Sequence, residues 1–120
     1  MKKLLLVLFV FIGFTAFSQE TITSTQAKDF VGKEVVLVGK VVGAKQTMSK
    51  AGEPVLFINI DKNYPENDFV IVVFSDVISR TKYNETTFLE KIIRVKGKVG
   101  VFKEKSQIIL ENEANLTIEK

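Results

Sequence analysis

The sequence contains no cysteine, no histidine and no tryptophan, and only two prolines and two methionines. Without thiols there can be no disulfide, no thiolate nucleophile and no soft ligand for zinc or copper. Without imidazole, the commonest metal ligand and the usual general base near neutral pH are both missing. Catalysis would have to run on carboxylates, Lys, Arg, Ser, Thr and Tyr alone. The expectation is therefore a binding protein, not an enzyme, with no metal and no cofactor.

A large charge of one sign is also lacking. The whole sequence carries 17 Lys and Arg against 14 Asp and Glu, but Lys2 and Lys3 sit in an N-terminal segment with the features of a signal peptide. That segment has a positive start (Met1-Lys2-Lys3), an apolar run from Leu4 to Phe14, and the small-x-small pattern Ala16-Phe17-Ser18 before Gln19. The run is shorter than the roughly 20 residues that span a bilayer, and no cysteine follows it to take a lipid. The segment 1–18 is thus expected to be a cleaved signal peptide, and 19–120 a single exported domain, periplasmic or secreted. The chain left after cleavage has 15 basic and 14 acidic residues, so only a local patch could attract a polyanion.

What is abundant is β-branched sequence. Thr23 with Gln26 has the spacing of a capping box, and Ala27, Phe30 and Val31 give one short amphipathic helix closed by Gly32. Lys33 to Ala44 (KEVVLVGKVVGA) then reads as a long strand that bends at a glycine. Lys45 to Glu53 is a polar turn, Pro54 to Asp61 (PVLFINID) a second strand, and Lys62 to Asp68 a turn around Tyr64-Pro65. Phe69 to Phe74 (FVIVVF) is wholly apolar and must be covered on both faces. Ser75 to Glu90 reads as loop with one or two helical turns. Lys91 to Phe102 (KIIRVKGKVGVF) alternates apolar and basic residues, and Lys103-Glu104-Lys105 turns it into Ser106 to Leu110. Leu116 and Ile118 extend that last strand past a break.

Two long strands, each carrying a central Gly-Lys-Val, suit a small closed barrel that has to turn corners. Five strands with an irregular element between the third and fourth match the layout of the oligonucleotide/oligosaccharide-binding (OB) fold. The expected fold class is all-β: a five-stranded OB barrel with one or two short helices, preceded by the signal peptide.

The stretch Val31 to Phe74 (VGKEVVLVGKVVGAKQTMSKAGEPVLFINIDKNYPENDFVIVVF) also resembles small exported bacterial OB-fold proteins labelled nucleic-acid-binding. Arg94 to Leu110 (RVKGKVGVFKEKSQIIL) looks like their closing segment. What the resemblance implies is a binding module and no enzyme.

OB barrels bind on the face of their second and third strands, framed by the loop between strands one and two and that between four and five. On that template Phe57, Asn59 and Phe74 face outward, Lys45 and Lys50 come from one framing loop, Lys103 and Lys105 from the other, and Lys40 lies nearby. Aromatic platforms with a cationic rim hold single strands by stacking and phosphate contact, and Asn59 could reach a base edge or a sugar hydroxyl. The more ordinary roles for the same side chains are packing for the aromatics and a solvated rim for the lysines. Asp61, Glu66 and Asp68 do not have the spacing of a calcium loop, and no phosphate-binding glycine loop is present. Three partners stay open: single-stranded nucleic acid or another oligomeric anion; an envelope protein or a second copy of the chain; and an oligosaccharide or small ligand. Outward Val36 and Val38 and the apolar third strand favour the second of these.

Overall fold

The computed structural model describes residues 19–119. The segment read as a signal peptide lies outside the described residues. The first element is a short strand, β1 (Glu20–Ile22), followed by a 3-10 helix, Ser24–Phe30. Gln26 accepts the Thr23 N–H at 2.9 Å, and Gly32 leaves the turn at φ +88°. The expected short helix is a 3-10 segment, seven residues long.

Next comes β2 (Glu34–Met48), the longest strand. Its first half points Val35, Leu37 and Val41 into the core. The glycine bend falls at the second of the strand's two glycines, as a register shift between Val41 and Gly43. The strand also runs four residues beyond Ala44, where Lys45 to Met48 pair with Phe57 to Pro54. The pairing there is made by the backbone, so polar side chains hide it from a pattern reading. β3 (Pro54–Ile60) and β4 (Phe69–Val73) follow antiparallel, and then an α-helix, α1 (Ser75–Thr81). α1 ends at Lys82, which adopts φ +63° and donates its N–H to the Ile78 carbonyl at 2.7 Å.

The strand expected from Lys91 to Phe102 is divided into β5 (Ile92–Lys98) and β6 (Gly100–Phe102) by Val99 alone. β5 pairs antiparallel with β2, from Glu34↔Lys98 to Lys40↔Ile92. β6 turns away and pairs with β7 (Lys105–Leu110). β7 runs parallel to β4, from Phe69↔Ser106 to Val73↔Leu110. Taking β5 and β6 as one bent strand, the circuit is β2, β3, β4, β7, β6–β5 and back to β2. This is an OB-fold.

At the bend, a Cβ on Gly97 would come within 2.6 Å of Ile108 Cγ2, so only glycine lets β5 lie against β7. Leu116 and Ile118 do not extend β7. They form β8 (Leu116–Ile118), which returns antiparallel along β5. β1 adds a parallel partner to the start of β2.

Alternation on these strands gives one core, centred on Leu37, Leu56, Ile58, Phe69, Ile71, Ile93 and Ile108, all fully buried. The two ends of the barrel are plugged differently. Ala27 of the 3-10 helix closes the end where β4 begins. Val77 of α1 and Phe88, stacked edge-to-face on Tyr83 at 4.8 Å, belong to the same core at the end where β4 finishes. No helix among the described residues is long and apolar enough to cross a membrane.

α1 is fastened to the C-terminal segment by charge. Arg80 Nη2 lies 2.9 Å from Glu113 Oε1, with Nε at 3.2 Å from the same oxygen. The hydrogen bond from Arg80 holds the Glu113 carboxyl below its ordinary range and raises the guanidinium in turn. A carboxylate with a lowered folded pKa contributes stability above its unfolded pKa and loses it as pH falls through the folded one. Glu113→Gln is therefore expected to lower Tm at pH 7 and to leave no difference from the parent near pH 2, as measured by circular dichroism melts across pH.

Candidate ligand-binding face

With Leu56, Ile58 and Ile60 of β3 turned inward, Val55, Phe57 and Asn59 must face out. On β4 the same rule turns Val70 and Val72 outward. Cross-strand register then places side chains in rows. Lys45, Phe57, Val72 and Ile109 form one row over four strands. Asn59, Val70 and Gln107 form the next. Val55, Val70 and Val72 are buried against one another with Phe57 packed on them, so β4 is covered on both faces without a partner chain.

The row continues past Ile109 into a cleft of about 440 Å³ where β5 and β7 part. Gln107, Ile109 and Glu111 line one side, and Lys96, Lys98 and Glu34 the other. On the adjoining hairpin Phe102 and Lys105 share the outward side, being register partners two places along the ladder from Gly100↔Gln107. Phe102 is 54% exposed, with the Lys103 ammonium 5.4 Å from its ring centre. Lys103 and Glu104 both take positive φ, at 51° and 68°, as a two-residue hairpin turn of type I′ demands.

The far end of the face is closed by the 61–68 loop through three asparagines. Asn67 Nδ2 donates to Asn59 Oδ1, Asn59 Nδ2 to Asn63 Oδ1, and Asn63 Nδ2 to the Val42 carbonyl, at 3.2–3.3 Å each. Asn63 lies directly over Gly43, where a Cβ would collide with its amide. Lys105 clamps the same loop, donating to the Pro65 carbonyl at 2.7 Å and the Asn67 carbonyl at 2.9 Å. Its ammonium also lies 5.6 Å from the centre of the Tyr64 ring.

These contacts redistribute the residues expected at the site. Phe57 is half-buried on the face beside Lys45, and Lys50 and Lys103 are exposed on the two framing turns. Asn59 is buried and both ends of its amide are engaged, so it anchors the loop and offers nothing to a ligand. Lys105 is held by two carbonyls for the same reason. Lys40 is paired with Glu90 at 3.3 Å. Phe74 has left the strand: β4 ends at Val73 and Phe74 precedes α1, exposed. The carboxylate of Asp61 accepts the Lys40 N–H at 3.0 Å and the Ser24 hydroxyl at 2.6 Å, binding the 3-10 helix to the barrel.

Three exposed groups were not expected at the site: Phe102, Tyr64 and the Lys96–Lys98 pair. Val101, expected inward with Val99, is exposed because β6 twists away after the break.

No protein-family model matches this sequence, and no curated protein matches it. Among solved structures, the chain is similar to the SSB domain of a Synechococcus sp. protein, at 11% identity over 72% of this chain and 90% of that one, with a TM-score of 0.46. It is also similar to a Klebsiella pneumoniae lipoprotein assigned provisionally to nucleic-acid binding, at 15% identity over 81% of this chain and 78% of that one, with a TM-score of 0.47. The fold assignment itself rests on the strand order and closure described above.

Removing the clamp should free the loop and leave the barrel intact. Lys105→Met deletes two charge-assisted hydrogen bonds, and a local loss of about 1–2 kcal/mol speeds opening roughly 5- to 30-fold. Hydrogen exchange is expected to quicken by that factor within residues 61–68 and to stay unchanged in β3 and β4.

Proposed function

We propose that this chain is an exported, non-catalytic OB-fold module that binds single-stranded nucleic acid, or an oligomeric anion of similar spacing, across its outward face. One observation carries the reading: the row Phe57–Val72–Ile109 crosses three neighbouring strands with a lysine at each end. Lys45 stands at one end, and at the other Lys96 and Lys98 stand across a cleft that Glu34 and Glu111 also line. Four strands at about 4.8 Å spacing set the row at roughly 15 Å, the reach of a short run of nucleotides. Bases would rest on half-buried Phe57 and exposed Ile109, with Val72 buried between them, while the lysines meet phosphates. Phe102 under Lys103 offers a second platform at the flank.

Fluorescence anisotropy with labelled single-stranded DNA and RNA, between about 50 and 200 mM salt, tests this. Three phosphate contacts predict a slope of log K against log salt near roughly −2. Phe57→Ala should weaken binding by about 1–3 kcal/mol, and Lys45→Ala should flatten the slope by roughly 0.7. Absence of binding at low salt would sink the proposal.

A second reading is favoured by exposed Ile109 on this face and exposed Phe74 just past the end of β4. Together they would offer an apolar strip to an envelope protein. Protein binding by this face that ignores salt would select that reading.

A further inference from the structure

Along β7 the outward side chains are Lys105, Gln107 and Ile109, and β6 sets Gly100 and Phe102 beside them. Gln107 therefore lies between two surfaces on which a base can rest, exposed Ile109 and exposed Phe102. Its cross-strand partner is Gly100, so no side chain stands beside it on that strand. A Cβ placed on Gly100 would meet nothing closer than Gln107 Cγ, at 3.9 Å. Gln107 also forms part of the wall of the cleft next to Ile109.

The strands β3, β4 and β7 and the 61–68 loop carry four side-chain amides: Asn59, Asn63, Asn67 and Gln107. The three asparagines are engaged by one another and by the Val42 and Phe69 carbonyls, whereas the Gln107 amide makes no hydrogen bond among the described residues. Gln107 is half-buried, so its stem is held against the sheet while its amide stays available. A primary amide sets a donor beside an acceptor. Adenine presents the complementary pair, N6–H with N7, on its major-groove edge. An unpaired strand also offers the Watson–Crick edge, where adenine again sets N6–H beside an acceptor, N1. Guanine has two acceptors on the first edge, and cytosine and thymine can match the amide on one edge alone.

From this placement we infer that Gln107 is the base-reading residue of the outward face and selects adenine at the position lying on Ile109. The inference rests on the nucleic-acid reading of this face and adds a sequence preference to it. Outward neighbours on one strand are about 7 Å apart, so a ring lying on Ile109 turns its edge towards the Gln107 amide. Stacking and phosphate contacts, the other interactions of the face, are blind to base identity.

Anisotropy competition at about 50 mM salt, with thymidine hexamers unsubstituted or carrying one central A, C or G, tests this. The adenine hexamer is expected to bind roughly five-fold or more tighter than the others, the lower end of what one bidentate base contact discriminates. Gln107→Leu should erase that difference and leave the all-thymidine affinity and its salt slope unchanged. Gln107→Glu should move the preference to cytosine, whose N4–H a carboxylate accepts. A glutamine with a purely structural role would not produce that switch. Gly100 does not take a positive φ, so Gly100→Leu should fold, fill the space the base edge enters, and erase the adenine preference with Gln107 intact. The inference is overturned, and the nucleic-acid reading stands, if all four hexamers bind alike or if their order survives Gln107→Leu. If none of the four binds at this salt, both fall together.

Discussion

Closure of this barrel depends on one strand serving two partners. Between Ile92 and Phe102 the chain must pair first with β2 and then with β7, and the change of allegiance occurs at Val99. There Val99 exchanges backbone hydrogen bonds with the segment leading into β2: its carbonyl accepts the Gly32 N–H at 2.8 Å and its N–H reaches the Lys33 carbonyl at 3.0 Å. Val99 itself is buried in the core. The absence of a side chain at Gly97 allows Ile108 to pack against the turning strand. Without that bend β7 would have only β4 for company, and the core residues Ile108 and Leu110 would sit under an open edge.

The outward face is a by-product of the same geometry. Because β5 and β7 separate beyond the bend, a cleft opens beside Ile109, and the alternating lysines of β5 come to stand at the end of the apolar row. The other border of the face is made by amides. Three asparagines lock the 61–68 loop over the end of β3 and β4, and Lys105 ties it to the hairpin. The molecule thus spends two of its best polar candidates, Asn59 and Lys105, on holding a loop in place.

Much of the barrel was legible because its strands alternate cleanly: the inward set Leu56, Ile58 and Ile60, and the order of five strands with a helical element after the third, follow from period-two patterning. The tail was not legible. Leu116 and Ile118 fit an extension of β7 as well as a return along β5, and side-chain pattern does not choose between pairing partners. The site was harder still. The role of Lys105 is fixed by carbonyls some 38–40 residues away in sequence, and no local signal marks such a clamp. The asparagine chain did leave a trace, since Asn59, Asn63 and Asn67 recur every four residues around Tyr64-Pro65. That interval, outside any helix, is the signal that could have withdrawn Asn59 from the ligand contacts. Phe102 escaped because nothing in the pattern of Lys91 to Phe102 marks the break at Val99 that swings its end onto β7 beside the face.

The pairing of β2 with β5 also has a kinetic meaning. Its partners lie far apart in the chain, from Lys40↔Ile92 to Glu34↔Lys98, so most of the chain must be in hand before the ladder can form. Topologies dominated by such distant pairings fold on the slow side, in roughly milliseconds to seconds. The continuous apolar run of β4 likewise depends on a distant partner, since Phe69 pairs with Ser106 and Val73 with Leu110. The segment that ends as the best-covered strand is therefore the one most exposed to wrong partners on the way there.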